Sequence, residues 1–433
     1  MSRKVKIGLI GLGTIGTGVA RIFFEQNEPF AEEFGDTVEL ARIADKDISD
    51  RGVAIPEGVL TSDVQGMLTD PEIDVIIELI GGIEPARTFV LTAIENGKHV
   101  VTANKALLAT HGDEILSAAS DKGVDVRFEA SVGGSIPILR ALHESLQTSR
   151  IQSIYGILNG TTNYILTRME REGADYGSLL KSAQEQGFAE RDPTTDVTGK
   201  DSLQKLTLLL RIGFRAVISP DAIMCEGIEQ ITPMDISYAR DYGYTIKLLA
   251  TAKRHGNRIE ARVAPAMIPR DSVMANCSYE YNAVEVMGDQ FGTQVFYGKG
   301  AGQRPTATVV ASDALDIASH IQTGAPLCRV GSMLHDTDVS TLVRPEEMMQ
   351  RHYVRMEVAD RAGVLEDIAG VFSSERISIA TVDQKSTSES DSVPLIIMTH
   401  KASETAIKRA TGKLATLLAV RPPIQHIRIE DLV

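Results

Sequence analysis

The chain has 433 residues, of which 43% are hydrophobic and 24% charged, with a formal net charge of −14. That length exceeds what a single hydrophobic core organises and points to two to four domains. The acidic balance excludes nucleic acid and anionic membrane as expected partners, because both demand a basic face, while a small anionic ligand in a locally positive site stays open.

The chain opens MSRKVKIGLIGLGTIGTGVA, with a basic start and an apolar stretch. Four glycines in nine residues suit a tight turn better than an export signal. Val5–Ile10 reads as a short apolar strand that runs straight into glycines, and Thr14–Phe24 as a helix. Val38–Ala44 and Asp74–Ile80 are further strands. Glu84–Asn96 has helical spacing, with Gly97 where a helix stops. Lys98–Thr102 is a strand, Lys105–Ser120 a helix and Asp125–Ala130 a strand. This alternation predicts an α/β fold, a Rossmann-type doubly wound parallel sheet over residues 1–132.

From Gly133 the rhythm changes. Helical patterns are expected from Pro137 to Ala250, then strands at Arg258–Met267, Tyr279–Val286 and Gln294–Tyr297. That describes an α+β substrate and dimerisation domain over 133–302. A helix at Pro305–His320 is expected to complete the first domain within 303–330. Residues 331–350 are polar and acidic and read as a linker. The tail, 351–433, follows the order βαββαβ: strand Tyr353–Val358, helix Val364–Ser374, strand Ile377–Gln384, loop Ser386–Ser392, strand Pro394–Thr399, helix Glu404–Leu418 and strand Ile424–Ile429.

Three cysteines, Cys225, Cys277 and Cys328, fall at no metal-finger or redox spacing, so a reducing, cytoplasmic compartment is expected. No run approaches the roughly 18 apolar residues of a membrane span. Ser-His-Asp hydrolase signatures and transition-metal spacings are absent from the sequence.

Gly11-Leu12-Gly13-Thr14-Ile15-Gly16 matches G-x-G-x-x-G between a strand and a helix, the context that gives the motif its meaning. The first glycine makes the turn, the second lets the backbone approach a pyrophosphate, and the third lets helix and strand pack. The second strand ends Ala44-Asp45-Lys46-Asp47. An acid there binds a ribose hydroxyl and favours NAD, whereas Lys46 favours NADP, so the cofactor is read as NAD(P). Lys105 follows the strand Lys98–Thr102 at the sheet edge where ligands lie.

The stretch Phe188–Leu206 concentrates Glu190, Asp192, Asp196, Asp201 and Lys205 ahead of an apolar helix. Asp201 and Lys205 share a helix face; a surface ion pair is the plain alternative, and the extra carboxylates favour a polar pocket. Tyr297-Gly-Lys-Gly-Ala-Gly302 is a glycine cluster before a helix, where backbone can approach a ligand or simply turn. Glu129-Ala-Ser-Val-Gly-Gly-Ser-Ile136 offers a carboxylate and turned carbonyls to a hard cation.

Five segments in order resemble homoserine dehydrogenases over roughly residues 1–330: the glycine loop, Glu78-Leu-Ile-Gly-Gly82, Val101-Thr-Ala-Asn-Lys105, Gly156-Ile-Leu-Asn-Gly-Thr-Thr-Asn-Tyr164 and Asp192-Pro-Thr-Thr-Asp-Val-Thr-Gly-Lys-Asp201. The tail, with Asp360-Arg-Ala-Gly-Val-Leu365 at a strand-to-helix turn, resembles an ACT domain. The resemblance implies reversible, NAD(P)H-dependent reduction of L-aspartate 4-semialdehyde to L-homoserine, on the way to threonine and methionine. It implies that Lys205 is the acid/base, that Lys105 lies near nicotinamide and substrate, and that Glu190 and Asp201 bind substrate. It further implies that Gly81, Gly187 and Gly302 line the cofactor. Glu129, with backbone at Val132, Gly134 and Ile136, would hold sodium. Threonine is the expected effector, and a homodimer or homotetramer the expected assembly. No fused kinase is expected before residue 5. The alternatives are another Rossmann dehydrogenase of a small amino or hydroxy acid, and a non-catalytic NAD(P)-binding amino-acid sensor.

Overall fold

The computed structural model describes residues 4–25, 34, 37–49, 51–324, 341–384 and 391–432. Cys328, residues 325–340 and the loop at 385–390 lie outside the described residues. The chain divides into two compact units. The first is Met1–Ile151, Gln204–Ala222 and Met287–Ser340; the second is Gln152–Leu203, Ile223–Val286 and Thr341–Val433.

In the first unit, β1 (Val5–Ile10), β2 (Val38–Ala44), β3 (Leu60–Thr61), β4 (Val75–Glu78), β5 (His99–Thr102) and β6 (Val126–Arg127) form a parallel sheet in the order β3-β2-β1-β4-β5-β6. Ile7, Leu9, Ile43, Val75 and Ile77 are fully enclosed, as strands covered on both faces require. The direction of winding reverses between β1 and β4, which opens a crevice beyond their carboxyl ends. β3 and the helix Val64–Thr69 are absent from the sequence-based expectation, being too short to carry a period. The expected strand Asp125–Ala130 is confined to Val126–Arg127, and Glu129–Ser131 turns as a 3-10 helix. Helix Gln303–Thr323 packs on Thr14–Phe24: a Cβ on Gly18 would lie 2.8 Å from the Ala307 methyl, and Gln303 donates to the Thr14 carbonyl at 2.9 Å.

The second unit begins from strands Ile151–Ile157, Tyr244–His255, Arg258–Pro269 and Tyr281–Gly288. Helices dominate the stretch from Pro137 as expected, with Gly160–Glu172, Tyr176–Glu185, Lys200–Gly213 and Pro233–Asp241 among them, but Ile151–Ile157 and the last part, from Tyr244, are strands. Ile246, Leu248, Leu249, Ala250 and Ala252 are all buried, so the run carries neither helical nor alternating period. Pairing with Arg258–Pro269 along its whole length makes it a strand.

The tail has the expected βαββαβ order, and its helices Val364–Ser374 and Glu404–Leu414 cover a core of Val354, Met356, Ile368, Phe372, Leu395 and Ile407. Its last strand, Val420–Ile429, pairs in parallel with Arg258–Pro269 at Ala266↔Arg428 and Met267↔Ile429. Thr341–Leu342 pairs with the start of that same strand.

A polar cluster sits at this seam. Arg428 donates to both oxygens of Glu226, at 2.6 and 2.9 Å, and to Glu404 at 3.0 Å. Gln350 also donates to Glu404, at 2.8 Å. His352 Nε2 lies 3.1 Å from the Ala402 carbonyl and so carries its proton, which leaves Nδ1 to accept from His426 Nε2 at 2.8 Å. Burial holds the His352 imidazole down to about 4, and burial followed by the Arg428 charge holds His426 well below its usual value.

Histidines kept neutral in the fold but ordinary when unfolded contribute stability that is complete above about pH 6.5 and lost as pH falls through the folded values. The urea midpoint is expected to fall between about pH 7 and about pH 4.5, and His352→Gln to flatten that fall. A midpoint unaffected by acid in the parent chain would contradict this account.

Candidate active site

At the carboxyl end of β1 the backbone turns through Gly11, with φ of +101°. Its N–H donates to the Ala44 carbonyl at 2.8 Å, and a Cβ there would meet the Leu79 carbonyl at 2.9 Å. A Cβ on Gly16 would sit 1.9 Å from the Gly11 oxygen, so strand and helix close only on hydrogen. Gly13 differs, because a Cβ there meets nothing within 4 Å. Its bareness serves no packing purpose and leaves backbone open to a ligand. Thr14 and Ile15 begin the helix, where N–H groups lack intrahelical acceptors.

Asp45 stands at the end of β2 and accepts from the Leu12 N–H and, at 2.9 Å, from the Asp47 N–H. A cavity of about 740 Å³ opens on this loop. Gly11, Gly13, Asp45 and Gly81 of the expected cofactor set line it, together with Lys46; Lys105 and Gly302 are not in its lining. Ser62, Asp63 and Phe89 also line it. Sequence reasoning missed these, since they come from short elements without a motif.

The carboxyl ends of β4 and β5 are tied together by Glu78, which has no exposed surface. It accepts from Ile80 N–H at 2.9 Å, Gly81 N–H at 3.2 Å and the Thr102 hydroxyl at 2.6 Å. The Thr102 oxygen accepts from Asn104 N–H at 3.0 Å, and the Asn104 amide donates to the Gly82 carbonyl at 2.7 Å. Asn104 also caps the helix that begins with Lys105, accepting from Leu107 N–H at 3.1 Å. One buried carboxylate thus orders both the Gly81 loop and the backbone that presents Lys105.

In the second unit, the two most specific motifs meet at Asn159. This residue caps helix Gly160–Glu172, accepting from Thr162 N–H at 2.8 Å. Its amide donates to Asp196 at 2.7 Å and to Asp201 at 2.9 Å. The Thr161 hydroxyl lies 3.0 Å from the second Asp196 oxygen. Asp201 is buried, and Lys205, only 9% exposed, follows one turn later on helix Lys200–Gly213. Asp192 and Glu190 stand outside this cluster. Asp192 is exposed and accepts from the N–H and hydroxyl of Thr194, which holds its carboxyl below the usual range. Glu190 is also exposed, outside the Asn159 cluster, and Gly187 is an exposed left-handed residue after helix Tyr176–Glu185.

Glu129 is buried, accepting from Leu139 N–H at 2.9 Å and Arg140 N–H at 2.6 Å. Burial first, and the nearby Asp313 charge second, push its carboxyl up to about 7. Gly133 and Gly134 take positive φ and turn the backbone between Val132 and Ile136. Among the described residues nothing donates to the buried Val132 and Gly134 carbonyls, whereas the Ile136 carbonyl accepts from Ile138 N–H at 2.8 Å. The expected donors are thus all oxygens, a carboxylate and two free carbonyls among them, the ligand chemistry of a hard cation. The small void beside Glu129 opens elsewhere, toward Arg127 and Arg140.

The glycines separate by role. Gly13→Ala is expected to fold normally and bind dinucleotide more weakly, whereas Gly16→Ala is expected to lower the melting temperature as well. Melting curves and cofactor titrations of both variants check this, and an equal loss of melting temperature would assign Gly13 to packing.

Family models match three stretches: the homoserine dehydrogenase NAD-binding domain over residues 11–129, homoserine dehydrogenase over 137–315 and the ACT domain over 352–419. The chain is 41% identical over 437 residues to the homoserine dehydrogenase of Pseudomonas aeruginosa, covering 99% of this chain and 100% of that one. It is 38% identical over 430 residues to that of Bacillus subtilis, covering 99% of both. The crystal structure of a homoserine dehydrogenase from Thiobacillus denitrificans superposes with a TM-score of 0.91 at 40% identity, covering 99% of each chain. The order of the parallel sheet, the open backbone at Gly13 and these full-length similarities converge: the chain belongs to the homoserine dehydrogenase family of NAD(P)-dependent oxidoreductases and carries an ACT domain.

Proposed function

We propose that the chain interconverts L-aspartate 4-semialdehyde and L-homoserine with Lys205 as the proton donor and acceptor. What supports this is a largely buried lysine one turn beyond Asp201, a carboxylate itself fixed by Asn159. The cavity at Gly11, Gly13, Asp45 and Gly81 has the size and the open backbone for the dinucleotide, which when bound supplies or takes the hydride. Reduction of an aldehyde leaves an alkoxide, and a lysine ammonium polarises the carbonyl oxygen and then delivers the proton. In the reverse direction the neutral amine takes the hydroxyl proton. Glu190, exposed and free of the Asn159 cluster, is available to the substrate ammonium. Gly187 and Gly302 would border the cofactor.

The finer reading assigns 1–132, with 303–330, to NAD(P) binding, 133–302 to substrate and dimerisation, 331–350 to a linker and 351–433 to regulation. Sodium at Glu129, Val132, Gly134 and Ile136 would stabilise the charged form of a carboxyl that burial pushes up to about 7. Threonine at the ACT domain, feedback control, a homodimer or homotetramer and a cytoplasmic location complete the proposal. Among the described residues no helix is long and apolar enough to cross a membrane.

Absorbance of NADH and NADPH with aspartate semialdehyde as substrate tests the reaction. Lys205→Ala is expected to bind cofactor normally and to turn over about 10²- to 10⁴-fold more slowly. Near-normal turnover would remove Lys205 from the mechanism. Glu190→Ala is expected to raise KM with little change in kcat, and an unchanged KM would end its role in binding substrate.

The same assay addresses ion and effector. Replacing sodium by choline is expected to slow the parent chain but not Glu129→Gln. Threonine is expected to lower the rate of the full chain, and indifference to either addition removes the corresponding assignment.

A further inference from the structure

The second unit contains a polar pocket that none of these roles uses. It measures about 310 Å³ and gathers Arg171, Arg240 and Arg270 around Glu170, Thr245 and Ser278. Helices Gly160–Glu172 and Pro233–Asp241 supply Arg171 and Arg240 from their C-terminal turns, and Arg270 follows strand Arg258–Pro269. Three guanidiniums against one carboxylate leave an excess of two positive charges, on a chain whose net charge is −14.

The three arginines stand differently. Glu170 is already engaged, 3.5 Å from Arg270 and accepting from the Thr245 hydroxyl at 2.8 Å. Arg171 donates to the Tyr279 hydroxyl at 2.9 Å and lies 4.8 Å over the Tyr279 ring. Tyr279 has φ of +58°, a left-handed backbone that a tyrosine adopts only under constraint, and its N–H donates to Thr167 at 3.1 Å. A strained residue therefore holds Arg171 at the pocket. The Arg240 side chain has no hydrogen-bond or ion-pair partner among the described residues.

Lys247, two residues beyond Thr245 on the same strand, is only 2% exposed, and its amine donates to Asn163 Oδ1 at 3.0 Å and the Cys277 carbonyl at 2.6 Å. Burial holds that amine below its usual value, and the charge of the pocket's Glu170 acts in the opposite direction. An anion in the pocket would favour the charged amine in the same way as Glu170 does. Guanidiniums arriving from three elements, with the Ser278 hydroxyl, match a tetrahedral oxyanion better than a planar carboxylate, which one or two forks satisfy.

We propose that this pocket is a binding site for a small phosphate-type dianion, separate from the dinucleotide loop. The test is calorimetric titration of the full chain with inorganic phosphate at constant ionic strength. Oxidised cofactor is kept saturating, so that the glycine loop is filled. Saturable binding is expected, weakened about tenfold or more in Arg171→Gln and in Arg240→Gln. Arg240→Gln should keep the parent turnover and melting temperature. Succinate, a dianion whose carboxylates are each planar, is expected to bind more weakly than phosphate. The proposal is overturned by no binding up to about 20 mM phosphate, by equal binding in the doubly substituted chain, or by succinate binding tighter.

Discussion

A carboxylate buried where two parallel strands end must have its hydrogen bonds met from within, and Glu78 meets them with the very segments that face the crevice. Its partners are the Gly81 loop and Thr102, and through Thr102 and Asn104 the start of the Lys105 helix. Strand ends would otherwise leave flexible loops at the place where a dinucleotide binds. An acid that accepts three donors at once converts them into a fixed rim.

The second unit applies the same device with an amide in place of an acid. Asn159 donates one proton to each of two aspartates while its oxygen caps a helix. That explains why so many charges gather at the mouth of an apolar helix. Asp196 and Asp201 are structural neighbours held by one side chain, whereas Asp192 serves a local turn and Glu190 faces solvent. The acids of one short stretch thus stand in three separate environments, set by burial and not by proximity in sequence.

The seam between the tail and the middle sheet is ionic where backbone pairing is brief. Only two residue pairs join Val420–Ile429 to Arg258–Pro269, and Arg428 stands at one of them. Its guanidinium satisfies Glu226 on one side and Glu404 on the other. Buried ion groups of this kind add little net stability over apolar packing, but leaving one member unpaired is expensive, so they specify register. The ACT domain is thereby held to one alignment with the strand it extends.

Alternation of strand and helix, the glycine loop and the βαββαβ tail were legible in the sequence because each leaves a local period or a backbone requirement that only glycine meets. Family-specific segments such as Gly156–Tyr164 marked the reaction before any geometry was known. Tertiary structure alone decided the rest. Tyr244–Ala250 is a strand because a neighbour pairs with it, since a run buried on both faces has no period of its own. Glu78, Asn159 and the three-arginine pocket gain their meaning from partners distant in the chain, and hydrogen bonds over such separations leave no trace in spacing.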